Sequence, residues 1–171
     1  MLVLAAAGAA VAVGSRGGGV THSLVTPTAL GSYVQEPSLA RDMGAAALQK
    51  QIVANSSGEA KHVVYAVYED ATGPAAQHGP QIILFIGGNL SGTSAGSFMT
   101  SFMGKLQGAV ATAAGPMGGA AACAPGASGR LAECAWADGD TFGVVASPTL
   151  GASGLASELR AVRPLLEKRA G

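Results

Sequence analysis

The chain has 171 residues, enough for one domain with a proper core. Charged residues make up 12% of it, about half the usual quarter, and ten basic against ten acidic side chains give a formal net charge of zero. That balance supplies no basic stripe to neutralise phosphates, so nucleic acid is not an expected partner.

Hydrophobic residues reach 49%, much of it alanine, while aromatics are only 5%. The core must therefore be built mainly from Val, Leu, Ile, Met and Ala. The one basic concentration is Arg160, Arg163, Lys168 and Arg169, interleaved with Glu158 and Glu167. It reads as an ordinary solvated helix face.

Residues 1–13 carry no polar side chain, and Gly14-Ser15-Arg16-Gly17-Gly18-Gly19 follows as a flexible linker. As a helix the apolar run covers about 20 Å, short of the roughly 30 Å hydrocarbon core. Three readings compete: the outer half of a membrane anchor, a short signal cleaved near Ala10-Val11-Ala12, or a buried core helix. No cysteine follows the run, which argues against a lipid anchor. We read residues 1–19 as a membrane-directing segment with its linker, and residues 20–171 as a single extracytoplasmic domain, at the membrane or secreted.

Ser23 to Val34 is an extended segment punctuated by Pro27 and Gly31. A helix is predicted from Ser38, as N-cap, to about Ala54, with Leu48 and Ile52 on one face and Gly44 as a weak point. Lys61 to Asp70 and Gln81 to Gly88 read as strands joined in an antiparallel hairpin. The first is apolar on both alternating faces, as suits an interior strand. Ser94 to Leu106 reads as a second helix whose Phe98, Phe102 and Leu106 stripe is core packing rather than a ligand face. A meander follows, with strands near 109–114, 119–124, 130–137 and 141–147, and Asp138-Gly139 is a hairpin turn. Leu155, Leu159, Val162 and Leu166 trace one face of a last helix, which Pro164 is expected to bend or restart. The order implies an α+β fold, an antiparallel sheet with two to three packed helices.

Cys123 and Cys134 flank a turn-rich stretch, so strands joined there would face the two across a hairpin, within reach of a disulfide. Two buried free cysteines are the alternative. A zinc site is not expected from two cysteines and three scattered histidines.

Several pieces of the chain, Thr21-His22-Ser23-Leu24-Val25-Thr26-Pro27, Ile83-Leu84-Phe85-Ile86-Gly87-Gly88 and Cys134-Ala135-Trp136-Ala137-Asp138 with Phe142-Gly143 and Ser147-Pro148-Thr149, resemble a group of uncharacterised actinobacterial proteins. These have one membrane span and an exported C-terminal domain. The resemblance covers about residues 20–168 and implies an anchored extracytoplasmic domain with Cys123 paired to Cys134. It implies no catalytic residue, ligand or cofactor.

Gly92-Thr93-Ser94-Ala95-Gly96 matches the nucleophile-elbow pattern between a strand and a helix. All three histidines (His22, His62, His78) precede Ser94, which rules out the order Ser, acid, His, and the strand is expected to end at Gly88, too early for a tight elbow. Ser94 is better read as a helix cap. Gly87 to Gly92 lacks the lysine of a phosphate loop, and Asp138 and Asp140 read as turn residues rather than calcium ligands. The expectation is a non-enzymatic, membrane-tethered or secreted cell-envelope domain with an unknown envelope partner and no cofactor, metal or catalytic residue. A sensory or regulatory ectodomain is the alternative, and an envelope serine hydrolase the remoter one.

Overall fold

The computed structural model describes residues 22–72, 79–126 and 131–169. The apolar N-terminal segment, its linker and His78 lie outside them. The fold is α+β. Among the described residues fourteen elements run in the order β1 (His22–Leu24), β2 (Ala29–Leu30), β3 (Tyr33–Gln35), α1 (Pro37–Asp42), α2 (Ala45–Asn55), β4 (Ala60–Asp70), β5 (Gln81–Leu90), α3 (Ala95–Lys105), β6 (Val110–Thr112), β7 (Ala120–Ala124), β8 (Ala132–Ala137), β9 (Thr141–Ser147), α4 (Ala152–Leu166) and β10 (Glu167–Arg169). Eight strands make one antiparallel sheet in the order β2-β3-β4-β5-β9-β8-β7-β6, and β1 pairs with β10 in a separate ribbon.

The two strongest sequence strands are interior strands paired with each other, as expected from their apolar character. β4 carries a bulge between Lys61 and Val64, where His62 takes φ 48°. The extra residue puts Ala60 on the same sheet face as Val63, Tyr65 and Val67. The meander forms with Asp138-Gly139 at the β8–β9 turn. β7 and β8 pair with Cys123 directly opposite Cys134, and the two are joined by a disulfide with S–S 1.99 Å.

The sheet is covered on both faces. On one, α4 lays Leu155, Leu159, Val162 and Leu166 against Phe85, Trp136, Val145 and the disulfide. Trp136 is fully buried there, stacked on Phe85 at 5.9 Å. On the other face α2 packs on β4, while α3 packs on β7 and β8.

Three expectations need correction. The first helix is two helices, because Gly44 at φ 67° breaks it and α2 restarts at Ala45. Ser38 therefore lies inside α1, whose N-cap is Glu36, with Pro37 in the first turn. The last helix does not restart at Pro164, which lies inside a single α4 continuing to Leu166. A proline so near the C-terminal end disturbs only the final turn. Finally, β5 runs two residues past Gly88, because Leu90 and Asn89 still pair with Ala60 and Lys61.

Candidate functional site

The sheet order explains where a site can form. β5 and β9 lie between β4 and β8, and with α2 standing mainly over β4 and α3 over β7 and β8 a gap opens between the two helices. The result is a cleft of about 680 Å³, within the range that holds small molecules. Its floor is Ala60, Leu90, Phe142 and Val144. Leu48 and Ile52 form the α2 wall, and Phe98 and Phe102 the α3 wall. Phe98 packs on Phe142 with ring centroids 4.9 Å apart. The Phe98–Phe102 stripe is thus only half-buried, because helix α3 does not press its whole apolar face onto the sheet.

Charge enters the cleft at three positions. Glu59 and Lys105 are exposed at its edges, and Glu133 stands half-buried on β8. Phe142 pairs with Ala137 while Glu133 pairs with Ala146, so four register steps, about 13 Å, separate the two rows. Lys105 lies seven residues beyond Phe98 on α3, about 10 Å along the helix axis. Glu133 and Lys105 therefore belong to the end of the cleft remote from Phe142. On this face β8 otherwise presents only Ala135 and Ala137, both fully buried.

A second polar group closes the opposite side of the molecule. Arg163, 1% exposed, donates from Nε to Glu167 at 2.7 Å and from Nη2 to Asp138 at 2.8 Å, and caps the carbonyls of Ala114 and Gly118. The expected solvated helix face is overturned here. Arg163 turns inward because it shares the buried face of α4 with Ala156 and Leu159, and Glu167 is buried at the point where the chain passes from α4 into β10. Asp138 also accepts the backbone N–H groups of Asp140 and Thr141, the turn role expected of it. Burial alone would raise its carboxyl, but hydrogen bonds from Glu167, from those amides and from the Thr141 hydroxyl outweigh it and hold Asp138 at about 2. Glu167 is pushed the other way, chiefly by burial and then by Asp138. Across from them His22 Nδ1 donates to Asp140 at 3.0 Å, and the Asn89 side-chain amide reaches the carbonyls of His22 and Asp140.

His22, Asp138 and Asp140 bring potential donor atoms within 4.8 Å of one another. Their chemistry does not fit a cation site. Asp138 is already the counter-ion of Arg163, and both Asp140 oxygens accept hydrogen bonds from His22. A metal would have to displace these bonds beside a buried guanidinium. The group is a clasp joining the β1–β10 ribbon to the β8–β9 turn.

Ser94 is the N-cap of α3. Its Oγ accepts from the Ser97 N–H at 3.1 Å and contacts the Ser97 hydroxyl at 3.0 Å, with φ −96° and ψ 156°. The extension of β5 to Leu90 shortens the gap before Ser94, yet the hydroxyl is spent on the cap. The cleft itself was missed in the sequence, because nothing in a linear pattern reports which strands the helices leave bare. The usable signal was the aromatic usage: three of four phenylalanines line this one cavity.

Comparison with family models, with curated proteins and with solved structures finds no match for this chain. Among the described residues no helix is long and apolar enough to cross a membrane.

Proposed function

We propose that this is a non-enzymatic binding domain of the cell envelope, membrane-tethered or secreted, whose ligand enters the cleft between α2 and α3. The observation that carries the reading is the cleft of about 680 Å³ between α2 and α3, whose lining leaves Ile52, Leu90, Phe98, Phe102 and Val144 only half-buried. Apolar surface left in water forgoes about 25 cal/mol per Å², and a concave apolar site with a few polar groups is the common form of a ligand pocket. The disulfide supports an oxidising compartment, and the N-terminal apolar run supports a membrane tether.

The test is binding of a neutral apolar probe, decanol, followed by methyl NMR. Shifts are expected at Ile52, Leu90 and Val144 but not at Leu159 or Val162 beneath α4. Ser101→Trp, at an exposed rim position, should abolish them. Shifts confined to the α4 side would reject the cleft.

A sensory ectodomain is favoured by one feature. Leu90 of the floor donates its N–H to the Asp140 carbonyl at 2.9 Å, and Asn89 next to it holds His22. The cleft is thus one residue along β5 from the clasp, which holds β1, the first described strand.

A further inference from the structure

We infer that the cleft takes an uncharged amphiphile: an alkyl chain carrying a hydroxylated head, a sugar or a glycerol. The inference rests on the cleft reading above and adds the chemistry of the ligand's head. The walls of the cavity are layered. On α2, Ile52 faces the cavity and Gln51 and Asn55, one turn apart, form the neighbouring row. On α3, Phe98 and Phe102 are one turn apart, and Ser97 and Ser101 form the neighbouring row, with Thr93 just ahead of the helix. Ile52, Phe98 and Phe102 are half-buried, while Gln51, Asn55, Ser97 and Ser101 are exposed. Each helix therefore sets apolar side chains toward the floor and uncharged polar ones toward the mouth.

The mouth also has hydrogen-bonding capacity that the protein does not use. Among the described residues the side chains of Gln51, Asn55, Thr93 and Ser101 bond to no other protein group. Amides and hydroxyls both donate and accept, so they match the hydroxyls of a polyol in either sense. The charged groups offer no such match. Glu133 already has a protein partner. Glu59 and Lys105 are exposed at the edges with opposite signs, so neither sign of head is preferred. A charged head drawn into the cleft would lose water and meet only screened charges. A hydroxylated head exchanges its water for hydrogen bonds to the mouth, with its alkyl chain on Leu90 and Val144.

The test compares decyl glucoside, decylglycerol, decanol, decanoate and decyltrimethylammonium, each below its micellar concentration, by calorimetry and methyl NMR on the disulfide-bonded protein. The two polyol probes are expected to bind about threefold or more tighter than decanol, and about tenfold or more tighter than either charged probe. Their ranking distinguishes a sugar head from a glycerol head. Ser101→Ala and Asn55→Ala should each weaken polyol binding by about threefold or more and change decanol binding by less than that. Both positions are exposed on helices, where alanine is the best helix former, and circular dichroism confirms that each variant folds. Equal affinities for the polyols and decanol, a charged probe that binds as tightly as the polyols, or polyol binding unmoved by both variants overturns the head preference while leaving the cleft as a plain apolar site. Absence of cleft shifts with every probe overturns the cleft reading itself, and this inference with it.

Discussion

Asp138 and Glu167 are two carboxylates that their hydrogen bonds push apart in acidity, because Asp138 alone also accepts the amides of the β8–β9 turn. Asp138 is held at about 2, below its ordinary value of 3.8, so it contributes stability above that value and loses it as pH falls toward 2. Glu167 is raised above 4.5, so its contribution is complete below 4.5 and fades as pH rises through its folded value. Together they place this pair's stability maximum near pH 4, between the two ordinary values. Urea denaturation across pH should show it, and Asp138→Asn should flatten the acidic limb. Arg163→Met would leave both carboxylates without their counter-ion and is expected to cost about 3–5 kcal/mol in the same assay at neutral pH. Ser94→Ala removes only a cap and should cost about 1 kcal/mol. A fluorophosphonate probe should leave Ser94 unlabelled, and stoichiometric labelling lost in Ser94→Ala would contradict the non-enzymatic reading.

At the scale of elements, the central β8–β9 hairpin is set by a size exchange. Trp136 lies directly opposite Gly143 in the register, and a Cβ on Gly143 would stand 2.1 Å from the indole ring. The glycine is there to admit the tryptophan, since the strand needs no unusual backbone angle at that position. Gly143→Ala must push Trp136 off Phe85 and out from under Arg163, whose guanidinium lies 5.6 Å from the indole. We expect a loss of about 1–3 kcal/mol, with a change in the near-ultraviolet dichroism of the chain's single tryptophan. The strands, the meander and the facing cysteines were legible because each depends on local alternation and turn residues. The break at Gly44 was only half legible: a glycine weakens any helix, but whether it adopts left-handed geometry is decided by how α1 and α2 must each fit against β4.

For the whole molecule, the first and last described strands hold each other. β1 pairs with β10, Leu24 is buried against the core, and the Val25 N–H donates to the Leu166 carbonyl at 2.8 Å. A chain begun at Val20 keeps all of this and should unfold cooperatively with full stability. A chain begun at Thr26 loses Leu24, whose burial alone is worth about 1.5–3 kcal/mol, together with the His22–Asp140 bond. Equal denaturation midpoints for the two would show that the clasp contributes nothing. If the Val20 form fails to fold, the apolar N-terminal run is part of the core rather than a tether.

Local pattern was enough to read the α+β class, the antiparallel hairpins and the cap at Ser94, and to bring Cys123 and Cys134 within reach of each other across β7 and β8. Each follows from contacts between residues close in the chain or from side-chain period. The tertiary structure alone decided that Arg163 and Glu167 are buried. Their neighbours in space, Asp138 and Ala114, are 25 and 49 residues away from Arg163. It alone decided the cleft as well, because a cavity is the space that α2, α3 and four strands fail to fill, and no short stretch of chain encodes a space between distant elements.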